Sequence, residues 1–291
     1  MLQVYRSHPA IVSALSYAAY DNNLFTTITA RDRQKITSST VPLPKEKYPI
    51  VLIDCKGKSV KLPTYSRRNK IQCLFTKNLV QQLARLCPQL RICVTTYYKG
   101  DFIHLKQELY NELQGGQNTL DFRRLQTLDV STVSAYIGGE TDVQILVTGA
   151  DGPTTCPTQN QTDEFDQKPE NFVFNDQIAT VALSRGAHAL FIVGDMQYLA
   201  SQRGSVLSKF LTYVEINTPA LQPEEYLHLI TRTDPVNIPT YNQDEYLIST
   251  EHLVSNTEFN KMSRWKERWI AFSLPNKPPV RNKHSRCVIS E

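Results

Sequence analysis

The sequence predicts an α/β domain built as a doubly wound parallel sheet, and three observations carry that prediction. Apolar runs of strand length recur along the chain with helical patterns between them. Those runs are apolar at consecutive positions, as in Val51-Leu52-Ile53, which is what a strand covered on both faces requires. The breaks fall at turn residues: Pro88, Gly115-Gly116 and Gly138-Gly139. At 291 residues and 41% hydrophobic, the chain suits one large domain, or one domain with an appendage.

The elements follow in order. Tyr48 to Asp54 is β-rich and apolar at its centre. Lys70 to Leu86 carries Ile71, Leu74, Leu79, Leu83 and Leu86 at roughly helical spacing, and Pro88 stops it. A strand at Leu90–Thr95, a helix at Asp101–Leu113 and a strand at Leu128–Val133 come next, then a strand at Val143–Thr148. Asn175–Arg185 is helical in pattern, and Ala189–Val193 is a buried strand. Ala30–Lys47 and Asp151–Pro169 are polar and are expected to be surface loops. The predicted division is a domain over 1–214 and an extension over 215–291. The extension turns basic towards its end, from Lys261 to Arg286.

Composition narrows the function classes. A net charge of +4 permits a nucleic-acid partner without requiring one. The six cysteines (Cys55, Cys73, Cys87, Cys93, Cys156 and Cys287) form no C-x-x-C pair and have no histidine at metal-ligand spacing. They are expected to be buried free thiols, and no metal site is expected. No apolar run approaches the ~20 residues that span a bilayer, so the expected setting is cytosol or nucleus, with no membrane. His8, His104 and His188 lie far apart and lack a nucleophile elbow, which speaks against a hydrolase triad.

Four blocks carry a more specific signal. Tyr5-Arg6-Ser7-His8-Pro9 comes first. Ser66-x-x-Asn69 and Ile92-Cys93-Val94-Thr95-Thr96-Tyr97-Tyr98-Lys99-Gly100 form the second. Ser131-Thr132-Val133-Ser134-Ala135-Tyr136-Ile137-Gly138-Gly139-Glu140-Thr141-Asp142-Val143 is the third. Thr180-Val181-Ala182-Leu183-Ser184-Arg185-Gly186-Ala187-His188 is the fourth. In order and spacing they resemble the second RecA-like domain of superfamily 1 helicases of the Upf1/DNA2/NAM7 type, over roughly residues 1–214.

The resemblance implies a RecA-like sheet of the P-loop NTPase type and a set of roles. Arg6 and Arg185 would reach across an inter-domain ATP site, where a planar guanidinium can neutralise charge on the transferring phosphoryl group. Tyr5, Gly138 and Glu140 would lie beside the nucleotide. Thr96, Tyr98, Lys99 and Thr132 would grip the backbone of single-stranded RNA or DNA. The implied partners are that nucleic acid and a first RecA-like domain.

The sequence also departs from the pattern. No G-x-x-x-x-G-K-[ST] occurs in it, and no carboxylate pair follows an apolar strand. ATP and Mg²⁺ are therefore expected only when a first RecA domain is supplied, and the chain alone is expected to be inactive as an ATPase. Ile137 stands where the family has Gln, Ser134 where it has Asp, and Asp101 where it has Gln. Ile178, Thr180 and Ala150 replace further polar positions. Two readings follow: the second half of an ATP-dependent helicase, or a non-enzymatic module derived from one that binds nucleic acid or protein.

Overall fold

The computed structural model of the chain describes residues 2–64, 66–114, 128–151 and 172–231. Most of the polar stretch read at Asp151–Pro169, and the basic tail from Lys261 to Arg286, lie outside the described residues.

The elements in chain order are β1 (Leu2–Val4), α1 (Pro9–Ala19), β2 (Leu24–Thr26), β3 (Ile50–Asp54), β4 (Ser59–Lys61), β5 (Arg67–Asn69), α2 (Lys70–Leu86), β6 (Ile92–Thr96), α3 (Lys99–Gln114), β7 (Leu128–Thr132), β8 (Thr141–Val147), α4 (Asp176–Leu183), β9 (Gly186–Gly194), α5 (Met196–Ser201), α6 (Val206–Glu215) and α7 (Pro223–Thr231). The five central strands run parallel in the order β3-β9-β8-β6-β7. Each core strand expected from the sequence is present, displaced by no more than a few residues.

Strand alternation sorts the core into two layers. Val51 and Ile53, with Val143, Ile145 and Val147, meet α2, α3 and α7 on one face. Ile50 and Leu52, with Leu146, Leu190 and Ile192, meet α1, α4, α5 and α6 on the other. Every residue of β8 and β9 is buried, as the two-sided cover demands.

Local signals set the helix ends. Asn69 caps α2, its side chain accepting from the Gln72 amide, and the helix stops at Leu86, two residues before Pro88. Asp195 caps α5 in the same way through the Tyr198 amide, so the Gly194-Asp195 turn opens a short helix. His8 precedes Pro9, the first residue of α1, and its Nδ1 accepts from the Ala10 amide.

Three features go beyond the sequence expectations. The Ala30–Lys47 loop is anchored rather than simply superficial: Ile36 and Val41 are buried, and the Tyr226 hydroxyl donates to the Pro42 carbonyl. Burying two such side chains is worth about 1.5–3 kcal/mol each. The same core continues past Val214, because α7 contributes Tyr226, Leu227 and Ile230. An antiparallel hairpin, β4–β5, also stands beside the sheet with Ser59 opposite Asn69 and Lys61 opposite Arg67.

Candidate functional site

Two clusters form, at opposite ends of the parallel strands. At the amino ends, Thr141 of β8 lies in register with Gly186 of β9. That register sets the residues just before them, Glu140 and Arg185, side by side. The first motif joins them through the His8 amide, which donates to the Ala187 carbonyl at 2.8 Å. The result is an open cleft of about 500 Å³ whose polar lining includes Tyr5, Arg6, Glu140, Thr180, Ser184 and Arg185. Val12, Leu15 and Leu24 give it an apolar floor.

Arg6 Nε lies 3.2 Å from Glu140 Oε2, a partly exposed pair. Such a pair contributes about 0–1 kcal/mol, so it orients more than it stabilises. Arg185 is held more firmly. Its Nη2 donates to Ser184 Oγ at 2.7 Å, its Nε to the Val181 carbonyl at 3.0 Å, and its Nη1 reaches the Gly139 carbonyl at 3.5 Å. Burial, then the neighbouring Arg6 guanidinium, pulls Arg185 below the ordinary arginine range. Tyr5 is 62% exposed and stands at the cleft mouth. Gly138 has φ +83, which its turn needs and other residues rarely adopt, and it holds the bend that presents Glu140.

Two supporting residues escaped the sequence reading. Arg33, from the anchored loop, donates to the Arg6 carbonyl at 2.6 Å and the Tyr5 carbonyl at 3.1 Å, clamping the backbone that carries both. Gln144, fully buried in β8, donates from Nε2 to the Ala182 carbonyl (2.6 Å) and Thr95 Oγ1 (2.8 Å), and its Oε1 accepts from the Gly186 amide (3.1 Å). It thus brackets Arg185 from both sides in sequence. Its signal was a lone amide in the centre of an apolar strand, which has to find partners once buried. Arg33 had no such signal.

His8 and His188 are buried in the fold. His8 caps α1, and burial together with nearby His188 pushes it down to about 4, so it is neutral and able to accept. His188 is buried with its Nε2 3.8 Å from Asp142, which also receives Lys35 and the Arg91 amide.

At the carboxyl ends, Thr96 of β6 pairs in register with Thr132 of β7, and the Tyr98-Lys99 turn follows β6 into α3. The side chains differ in availability. Thr96 is fully buried and its hydroxyl donates to the Tyr98 carbonyl, closing the turn. The Tyr98 ring is buried near Phe172, at 6.5 Å between centroids. Lys99 is exposed, and Thr132 is half-buried with its hydroxyl accepting from the Ala135 amide. Ile137, in the position where the resemblance places Gln, is 71% exposed in the turn between β7 and β8.

Among the described residues no group of three or more His, Cys, Asp or Glu could hold a metal ion. The described cysteines, Cys55, Cys73, Cys87 and Cys93, are buried free thiols; Cys156 and Cys287 lie outside the described residues. No helix among the described residues is long and apolar enough to cross a membrane.

Comparison with known proteins is consistent with these features. Residues 1–197 match the model of a family described as "AAA domain". Regulator of nonsense transcripts 1 from Dictyostelium discoideum is 22% identical over 88% of this chain and 19% of its own length. DNA polymerase alpha-associated DNA helicase A from Saccharomyces cerevisiae is 24% identical over 77% of this chain and 32% of its own length. A solved structure, the C-terminal domain of a possible DNA helicase from a Lactobacillus, overlays 79% of this chain and 94% of that one at 12% identity, with a TM-score of 0.31. The chain spans between 15% and 32% of the length of the curated relatives it matches. On the family match across residues 1–197, the chain belongs to the AAA domain family, as a helicase-related domain of the Upf1-like type.

Proposed function

We propose that this chain acts as the second RecA-like half of an ATP-dependent helicase. The observation that carries the reading is the convergence of Tyr5, Arg6, Glu140 and Arg185 on one open cleft, drawn from three motifs far apart in sequence. Two guanidiniums facing an open cleft fit the polyanionic end of a nucleoside triphosphate held by a first domain. In that arrangement Arg6 and Arg185 bind the terminal phosphates, and Tyr5 offers an aromatic face to the base. Glu140, as a carboxylate, suits ribose hydroxyls rather than phosphates. ATP would supply the bond whose cleavage drives the motor, and Mg²⁺ the positive charge that offsets its phosphates. This chain brings neither a phosphate loop nor a described carboxylate cluster for the metal, so both ligands depend on the first domain. Thr96, Tyr98, Lys99 and Thr132 are the nucleic-acid contacts of this reading, at the other end of the sheet; the exposed Lys99 and the half-buried Thr132 can touch the strand, with Thr96 and Tyr98 shaping the turn beside them.

The test is hydrolysis of Mg-ATP by a separately supplied first RecA-like domain, with and without this chain. Addition of the chain is expected to raise the rate, and Arg185→Ala to remove on the order of 10³-fold or more of the gain. No stimulation at saturating concentration, or stimulation that survives Arg185→Ala, would reject the reading.

A second reading has its own support. Both guanidiniums already have partners within the chain, Arg6 on Glu140 and Arg185 on Ser184, and the polar third-motif position is Ile137. A non-enzymatic module that holds nucleic acid would keep this geometry without using it. It predicts single-strand binding that ignores Mg-ATP and survives Arg6→Ala.

A further inference from the structure

The first motif is fixed at both ends by backbone, and between those ends by a residue outside every motif. Upstream, Leu2–Val4 runs parallel with Leu24–Thr26. Downstream, the His8 amide donates to the Ala187 carbonyl at 2.8 Å. Tyr5 and Arg6 lie between, and both their carbonyls accept from the Arg33 guanidinium, Tyr5 from Nη2 at 3.1 Å and Arg6 from Nε at 2.6 Å. The third nitrogen, Nη1, donates to the Asp32 carbonyl at 3.2 Å, so the whole fork is committed to backbone oxygens.

The strap that carries Arg33 has its own footing. Asp32 Oδ2 accepts from the Thr29 amide at 2.9 Å and from the Thr29 hydroxyl at 2.7 Å, which fixes the short turn Arg31–Arg33. Two residues on, Lys35 Nζ lies 3.2 Å from Asp142 Oδ1. Asp142 follows Glu140 by two residues and is buried, its Oδ2 accepting from the Arg91 amide at 3.1 Å. Ile36 then enters the core. Arg33 and Lys35 thus tie the Tyr5-Arg6 segment and the Glu140 segment to one stretch of chain.

Arg6 is consequently held in two separable ways. Its side chain is held by the partly exposed pair with Glu140, for which phosphate oxygens in the cleft would compete. Its backbone is held by charge-assisted hydrogen bonds from Arg33, which is not among the residues that line the cleft. A ligand that breaks the ion pair leaves the fork intact, so the point from which Arg6 reaches stays fixed.

We propose that Arg33 is a positioning residue for the cleft, holding the Tyr5-Arg6 backbone in place when Arg6 exchanges Glu140 for phosphate. This role rests on the proposed function of Arg6 and adds to it a residue that none of the four motifs contains. A guanidinium suits the task because its planar fork meets two successive carbonyls at once, whereas an ammonium is a point charge.

The experiment pairs hydrogen exchange of the whole chain, read by mass spectrometry, with stimulation of Mg-ATP hydrolysis by a separately supplied first RecA-like domain. Arg33→Ala and Arg33→Lys are compared with the unaltered chain and with Arg31→Ala, which removes the same charge from an exposed position in the same turn. In Arg33→Ala the amides of residues 5–8 should exchange about 10- to 100-fold faster, as expected for losing hydrogen bonds from a charged donor, while those of Gly186–Gly194 keep their rate. The stimulated rate at saturating ATP should fall on the order of 10²-fold, as for a misplacement of ~1 Å, with the KM for ATP changed far less. Arg33→Lys should follow Arg33→Ala, and Arg31→Ala the unaltered chain. Unchanged exchange at residues 5–8, faster exchange throughout the chain, or local loosening with an unchanged stimulated rate would overturn the assignment. Full recovery in Arg33→Lys, or an equal effect in Arg31→Ala, would overturn it by making charge rather than the fork responsible. No stimulation by the unaltered chain would remove the helicase reading, and the exchange comparison would then decide the Arg33 assignment alone.

Discussion

Replacing Gln144 by Leu should disturb the arginine cleft without touching it. The side chains are close in volume, so the substitution leaves little cavity, and the loss is mainly of hydrogen bonds. Three are made by Gln144, to the Ala182 carbonyl, Thr95 Oγ1 and the Gly186 amide. Thr95 can turn its hydroxyl elsewhere. The Gly186 amide and the Ala182 carbonyl are backbone groups in a dry interior, and each unsatisfied group costs about 1–3 kcal/mol. The expected destabilisation is about 2–6 kcal/mol, a large share of the ~5–15 kcal/mol that holds a typical domain folded. With a urea dependence of ~2–3 kcal/mol per molar, the unfolding midpoint should fall by about 1–3 M. Gln144→Glu should cost more, since a carboxylate would face the Ala182 carbonyl where an amide now donates. Urea melts followed by circular dichroism read both. An unchanged midpoint for Gln144→Leu would refute the bracketing role and leave Arg185 held by Ser184 and Val181 alone.

Two further outcomes follow from the same geometry. Burial raises Asp101 to about 7, only partly opposed by the Asn69 amide and the Cys73 thiol. The folded state therefore holds a proton that the unfolded chain, near 4, releases. The Asp101 contribution should fall by up to about 1.4 kcal/mol per pH unit as pH rises from about 4 to 7, and then level off. Asp101→Asn removes the titration, so the stability difference between the two proteins should slope across that window in chemical melts; a flat difference would contradict the assignment. Glu140→Gln loses only a partly exposed ion pair with Arg6 and should cost less than about 1 kcal/mol in the same melts. A cost above about 2 kcal/mol would make Glu140 a structural strut of the cleft.

The sequence revealed the sheet more fully than its surroundings, and the reason is physical. Strands covered on both faces need consecutive apolar residues, so β3, β6, β8 and β9 announce themselves. Ile36 and Val41 are isolated in a polar stretch, and their burial depends on α2 and α7 arriving from elsewhere in the chain. No local pattern encodes that. The hairpin was hidden for a related reason: its strands are three residues each, too short for an alternation to register. At the site, Tyr5, Arg6, Glu140 and Arg185 come from three motifs to line one cleft. Motif order did not reveal that Thr96 spends its hydroxyl on the Tyr98 carbonyl, because a motif names residues and not their hydrogen-bond partners.

The same strands that join the two clusters also limit how they can communicate. β8 begins beside Glu140, carries Gln144 at its centre, and ends at Val147, two residues before the Gly149 carbonyl that accepts from the hairpin. A seven-residue strand spans ~20 Å, and this one is buried along its whole length between two helical layers. A close-packed interior of that kind moves as a block and does not stretch, since sliding one strand would break its ladder on both sides and open voids in both layers. A ligand on the arginines cannot therefore reach the hairpin by deforming this sheet. Any coupling between the two ends has to pass through displacement of the whole domain against another body, or along the hydrogen-bonded turn at 133–139, which carries Gly138 at φ +83 and the exposed Ile137. That turn joins Thr132, at the carboxyl ends of the strands, directly to Glu140 of the cleft.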